Sequence, residues 1–234
     1  MATTKATSKN STSKIRFAVL ATDTVLFTFR DGMLYVRLIP VNLPPYFNNI
    51  HGLPGGLIHP EENAEEATRR IIKDKGHIDP RNIYLEQLYT FSEVKRDPRG
   101  RVVAVAYLAL APWASFSKEE QKDSDVSQWF PVSALPKLAY DHRQIISVGL
   151  ERLRSKIAFT TIISKLMPHE FTLTELENAY EAILDRGVDK RNFRKKILKL
   201  DVLEKSANER RGQRWRPAQL YKFSSGRVMQ IDVL

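Results

Sequence analysis

Residues 52–78, GLPGGLIHPEENAEEATRRIIKDKGHI, constrain this 234-residue chain more than any other stretch. The segment opens with Leu53-Pro54-Gly55-Gly56, a loop signal in which glycine permits tight turns and close backbone approach. Good helix formers follow at once, with acids first (Glu61, Glu62, Glu65, Glu66) and bases last (Arg69, Arg70, Lys73, Lys75). Acids near a helix start and bases near its end both suit the helix dipole, so the order predicts a helix fed directly by a glycine loop.

The spacing is more specific than the composition. Gly56, Glu62, Arg70, Ile72 and Ile78 fall in the order G-x5-E-x7-R-E-U-x-E-E-x-G-U, where U is a bulky aliphatic residue, and Asp74 stands at the first acid of the glutamate pair. This resembles the Nudix box. In that family the glutamates lie on one helical face and gather the divalent cations that polarise a diphosphate and activate water. Here Ile71 replaces the glutamate after the arginine, Lys75 the second glutamate of the pair, and His77 the last glycine. A shift of one residue restores Gly76 as that glycine but puts Arg70 and Lys73 at acid positions. In either register the resemblance implies a Nudix domain that has lost hydrolysis, with no catalytic and no metal-ligating residue, and with Gly55, Gly56, Glu62 and Arg70 around a ligand.

The flanking chain supplies a sheet. Residues 15–29 (IRFAVLATDTVLFTF) are rich in β-branched and aromatic side chains and predict one or two strands. Asp31-Gly32 is a hairpin signal, and residues 33–39 read as the return strand. Arg37 closes that strand, either as an exposed strand-end charge or, as the resemblance implies, as part of the ligand cleft. Residues 40–49 hold three prolines and read as a loop. Residues 83–91 and 102–111 are the next strands, and the second is apolar on both faces, which argues for a buried central place. The basic loop 92–101 between them is similar to the branch of the Nudix group that handles ADP-ribose. Arginine suits a diphosphate because its planar fork donates two hydrogen bonds at once, which puts Arg96, Asp97 and Arg101 near the ligand. Gln128-Trp129-Phe130-Pro131 reads as the last strand of this portion, and Asp141 as the cap of a connecting helix over 141–158, with His142 a structural residue in its first turn.

The remainder changes character. The net charge is +10, and from residue 186 onward 14 Lys and Arg face 5 Asp and Glu, a surplus of nine. Thr172-Leu173-Thr174-Glu175 is a capping box with Phe171 and Leu176 as its hydrophobic staple. The helix it opens runs to about 184, a glycine-containing turn follows, and Asp189 caps a second helix from about 190 to 200. On that helix Phe193, Ile197 and Leu200 share a stripe, Arg191, Asn192, Lys195 and Lys199 lie opposite, Arg194 sits at the edge, and Leu198 finds no place. Basic residues 208–217 between two short apolar runs then suggest a hairpin wing. A cationic helix face, a cationic wing and helix-turn-helix spacing together point to double-stranded DNA, contacted by the helix that begins at Lys190, with Arg191, Asn192 and Lys195 toward bases and Arg194, Arg211, Arg214 and Arg216 nearer phosphates.

Taken together, the chain resembles the NrtR-type transcriptional regulators, and the pieces FTLTELENAYEAIL, DKRNFRKK and RPAQLYKF carry that likeness as closely as the box does. The resemblance implies an α+β architecture: a Nudix α/β/α sandwich with a mixed sheet over 15–140, then a winged helix-turn-helix domain over 159–234. It also implies a homodimeric repressor of NAD-metabolism genes on a palindromic operator, with ADP-ribose or a related nucleotide as effector and no required cofactor. Two other readings stay open: an active Nudix hydrolase with an accessory DNA-binding domain, and a sugar-sensing regulator of the same architecture. Residues 1–14, rich in Ser, Thr, Lys and Ala, predict a disordered tail without a secretory signal. The absence of cysteine and of any apolar run near the roughly 20 residues that span a bilayer fits a cytoplasmic protein with no membrane partner.

Overall fold

The computed structural model describes residues 17–210 and 218–231. Strands β1 (Val19–Arg30) and β2 (Met33–Leu43) form a hairpin closed by Asp31-Gly32, both at positive φ (49° and 79°), as a two-residue turn between right-twisted strands requires. β2 continues beyond the expected 39, and β3 (Phe47–Gly52) pairs with its far half, so most of the expected loop 40–49 is sheet. The prolines misled because residues 39–43 of β2 pair only with β3, and a proline on an otherwise open edge leaves no ladder bond unmade.

β4 (Gly55–Leu57) lies antiparallel against β1, with Gly55 opposite Asp23 and Gly56 opposite Thr22. The two glycines expected in a loop are therefore strand residues pressed against a neighbouring backbone. Helix α1 (Ala64–Asp74) follows, opened by Asn63, whose side chain accepts from Glu65 and Glu66 N–H groups while Glu66 bonds back. β5 (Tyr84–Phe91) and β6 (Val102–Leu110) are antiparallel, and β6 lies parallel to β1, which makes the sheet mixed. Its order is β3-β2-β1-β6-β5, with β7 (Gln128–Pro131) also on β2. β6 is an interior strand, flanked by β1 and β5, as its two apolar faces require.

Helix α2 (His142–Phe159) buries Ile145, Ile146, Leu153 and Ile157 on one side and carries the chain out of the sheet domain. Helix α3 (Leu173–Leu184) starts with the expected Thr172–Glu175 capping box, and both staple residues, Phe171 and Leu176, are fully buried. Helix α4 (Lys190–Lys199) follows after Asp185 turns the chain at φ 55°, with Asp189 accepting from the Asn192 N–H. Phe193 and Ile197 are buried and Leu198 is exposed. β8 (Leu203–Arg210) and β9 (Ala218–Phe223) form a two-stranded wing; Arg211, Arg214 and Arg216 lie outside the described residues.

A single apolar cluster runs from Val25 and Leu108 in the sheet, through Ile145 and Leu153 of α2, to Tyr180, Phe193 and Tyr221 around the wing. Polar pins cross the same junction. Arg152 and Lys156 of α2 both reach Glu86 of β5, at 3.0 and 2.5 Å, and Arg154 Nε donates to the Ile183 carbonyl at the end of α3. Among the described residues no helix is long and apolar enough to cross a membrane.

Candidate ligand pocket and nucleic-acid interface

A cleft of about 510 Å³ opens between the Leu53–Gly56 turn, the C-terminal end of α1, and the loop after β5. Its floor is a closed set of charges. Arg96 donates to Asp23 Oδ2 at 2.9 Å and grips Asp141 with two bonds, at 2.8 and 2.7 Å. His142 Nδ1 accepts from the Leu53 N–H at 2.8 Å, which leaves Nε2 to face Asp23 Oδ1 at 3.5 Å. Burial raises the Asp23 pKa, but His142 and Arg96 outweigh it and hold the carboxylate below its ordinary value.

This arrangement explains one glycine. A Cβ on Gly55 would stand 2.1 Å from Asp23 Oδ1, inside any tolerable contact. Gly55→Ala is therefore expected to destabilise the chain by about 1–3 kcal/mol through overpacking at Asp23, measured as a lower urea midpoint. An unchanged midpoint would mean that the turn shifts freely and does not set the cleft.

The expected ligand residues divide into those the fold brings to the cleft and those it places elsewhere. Gly55, Gly56, Arg96 and Asp97 line it. Arg96 does so with its guanidinium already committed to two carboxylates, and Asp97 is ion-paired to Arg99 at 2.7 Å. Arg37 does not line it. Its side chain is buried, donating to the Gly76 carbonyl at 3.1 Å and to Ser127 Oγ at 2.6 Å, with its guanidinium over Trp129. Burial pushes its pKa down to about 10. The strand-end position gave no hint that helix α1 and the chain before β7 would close over it. Arg101 also points away, bonding the Ser92 carbonyl at 2.9 Å and so closing its own loop. Glu62 and Arg70 pair with each other, Arg70 Nε reaching Glu62 Oε2 at 2.9 Å and Nη2 the Leu57 carbonyl at 3.0 Å, so they brace β4 behind the cleft. The Arg70 hydrogen bonds draw the Glu62 carboxyl down to about 2.

Sequence reasoning missed Asp23, Lys75, Arg99 and Tyr140 as cleft residues and assigned Asp141 to helix capping. Asp141 does precede α2, but its side chain makes no capping bond because it serves Arg96. The available signal was Asp23 itself, a carboxylate inside an otherwise apolar strand, since such acids are seldom buried without a partner. Lys75, the residue after α1, reaches back to the Gly55 carbonyl at 2.7 Å. Desolvation inside the cleft, then the like charge of Arg70, lowers its pKa. Ile71 is fully buried, and among the described residues no cluster of three or more His, Cys, Asp or Glu is placed to hold a metal ion. Of the carboxylates that line the cleft, Asp23 and Asp97 are ion-paired, and Asp74 forms no ion pair among the described residues.

At the other end of the molecule, α4 exposes Lys190, Arg191, Asn192, Arg194 and Lys195. They are not equivalent. Arg194 turns back onto α3, bonding the fully buried Glu177 at 3.0 Å and Thr174 Oγ1 at 3.2 Å, which departs from its expected place at phosphates. The Asn192 side chain donates to Asp189 Oδ2 at 2.8 Å. Lys190, Arg191 and Lys195 form no ion pair among the described residues and face solvent.

A mixed sheet with a charged cleft, joined through one core to a helix pair and a basic wing, defines a small-molecule-binding domain coupled to a DNA-binding one. Residues 19–148 match the NUDIX domain, and residues 163–223 match the NrtR DNA-binding winged helix domain. The chain belongs to the Nudix-related transcriptional regulators of the NrtR type. It is 34% identical over 210 residues to the ADPR responsive transcriptional repressor NtrR of Acinetobacter baylyi, covering 88% of this chain and 82% of that protein. The crystal structure of Shewanella oneidensis NrtR complexed with a 27mer DNA superposes with a TM-score of 0.76 at 32% identity, over 88% of this chain and 93% of that one. The NUDIX domain of the same protein, solved with ADP ribose, gives 0.51 at 35% identity, over 59% of this chain and 90% of that one.

Proposed function

We propose that this chain is a ligand-responsive repressor that binds DNA through α4 and the wing and holds ADP-ribose, or a related nucleotide, in the cleft without hydrolysing it. The observation that carries the reading is the pairing, on one continuous core, of a charged cleft with a free basic helix face. The likeness to a repressor solved with DNA, and to a Nudix domain solved with ADP ribose, supports both halves. Ile71 and Lys75 at the box positions, together with the ion pairs that occupy Asp23 and Asp97 in the cleft, support binding without turnover.

The regulator acts as a homodimer on a palindromic operator, with two α4 helices in successive major grooves about 34 Å apart. The genes are those of NAD metabolism, and the compartment is the cytoplasm, where the DNA is. Coupling needs only that ADP-ribose bind one dimer geometry better than the other; DNA affinity then shifts by the same factor. Arg191 and Lys195 contact the duplex from α4, while Arg211, Arg214 and Arg216 contribute phosphate charge.

The test is a fluorescence-anisotropy titration of operator and scrambled duplexes across a salt series, with and without ADP-ribose. Arg191→Ala is expected to cost about 1–3 kcal/mol on the operator and relax base preference at one position per half-site. Arg216→Ala is expected to weaken both duplexes alike and flatten the salt slope by about one charge. If both variants behave identically on both duplexes, α4 is not the reading helix. Turnover of ADP-ribose with Mg²⁺ at about 1 per second or faster would overturn the non-hydrolytic half.

A further inference from the structure

We infer that Lys75 is a built-in cation that binds the diphosphate of the effector directly, so that effector binding needs no divalent metal. The inference rests on the nucleotide reading above for the identity of the effector, and on the geometry of the cleft for its chemistry.

Sorting the charged groups of the cleft by what they already bind leaves few for an anion. Arg96 is shared between Asp23 and Asp141, Asp23 also faces His142, and Asp97 is paired with Arg99. Lys75 is different. It forms no ion pair among the described residues, and its single hydrogen bond goes to a neutral acceptor, the Gly55 carbonyl. An ammonium has three donors, so two remain for a ligand.

The position of that ammonium is set. The backbone of Lys75 is tied to α1 through its N–H and the Ile71 carbonyl, and the Gly55 bond holds the other end of the side chain. A Cβ on Gly56 would come within 3.2 Å of Nζ, so the amine rests on the bare glycine backbone of β4. Arg99 lies on the same cleft wall near Tyr140, but its guanidinium is already paired with Asp97, which leaves Lys75 as the lining base that forms no ion pair among the described residues. A diphosphate needs positive charge beside it, and a metal ion is one way to supply it. Here the helix brings one carboxylate, Asp74, to the cleft, while Ile71 is buried in the core and Lys75 follows Asp74. A mobile dication next to Nζ would also be repelled. Fixed side-chain charge therefore does the work that a metal would do at an acidic box.

Isothermal titration of the full chain with ADP-ribose, in EDTA and in millimolar MgCl₂, tests this directly, with inorganic pyrophosphate in EDTA as a second probe. The wild type is expected to bind ADP-ribose equally in both buffers, within about twofold. K75M is expected to weaken both probes by about 10- to 100-fold, the loss of a charged hydrogen bond, with an unchanged melting temperature. K75R is expected to recover most of that loss. Wild-type binding that needs Mg²⁺, K75M binding at wild-type strength, or K75R as weak as K75M would each overturn the inference. If ADP-ribose is ignored while pyrophosphate binds through Lys75, the nucleotide reading fails and the Lys75 assignment stands. If neither probe binds the wild type, the Lys75 assignment fails as well.

Discussion

Arg96→Ala is expected to destabilise the chain by about 3–5 kcal/mol, the usual consequence of removing one partner from a buried ion network. The side chains of Asp23 and Asp141 are only 8% and 14% exposed, and Arg96 is the guanidinium that both accept from. Without it, among the described residues, Asp141 keeps no ion pair and Asp23 keeps His142 at 3.5 Å. Urea unfolding at neutral pH measures the loss, as a lower midpoint at an unchanged slope. The same network has a defined pH dependence. Asp23 is held below its ordinary value of 3.8, so its contribution is complete above that value and is lost as pH falls through the lowered folded one. The wild type should therefore weaken in acid below about 3.8, and the deficit of Arg96→Ala should shrink there as the freed carboxyls take up protons. A neutral-pH loss under about 1 kcal/mol would mean that solvent replaces the guanidinium and the network does not hold the cleft floor.

Arg194→Ala is expected to act on folding more than on DNA charge. Its partner Glu177 is fully buried inside the α3–α4 packing, and its guanidinium bonds both carboxylate oxygens and Thr174. Truncation strands Glu177, at a cost of about 3 kcal/mol, the lower end of the range because Arg194 is itself 46% exposed and water can enter. The double variant Arg194→Leu/Glu177→Leu should recover most of this, since apolar replacements remove the uncompensated charge. Among molecules that stay folded, the salt slope of DNA binding should be nearly that of the wild type. Lys195→Ala, by contrast, should flatten it by about one charge. A slope change for Arg194→Ala equal to that of Lys195→Ala would return Arg194 to the phosphate backbone.

The contrast between Arg194 and Lys195 shows where sequence reading stops. Both are bases one position apart on the same helix, and helical arithmetic places Arg194 only at the edge of the cationic face. Its fate depends on Glu177, 17 residues earlier, and on the angle at which α3 crosses α4. The cleft behaves in the same way. Arg96 meets Asp23 across 73 residues and Asp141 across 45, and Lys75 meets Gly55 across 20. No local spacing encodes those distances, because the sheet register and helix placement bring the partners together.

What the sequence determined by itself was everything carried by short-range physics. The Asp31-Gly32 turn, the Thr172 and Asp189 caps, the doubly apolar β6 and the buried stripe of Phe193 and Ile197 each follow from residues within about one or two turns of one another. The box spacing likewise located the helix, though it expected Gly55 and Gly56 in a loop where the structure has β4. Only the tertiary structure decided which charges line the cleft and which serve the fold. Arg37 is sealed behind α1, Arg101 closes its own loop, Glu62 and Arg70 satisfy each other, and Lys75 faces the cleft. The reason is that a buried charge must find its counter-charge wherever the fold brings one, and composition cannot say which arginine that will be.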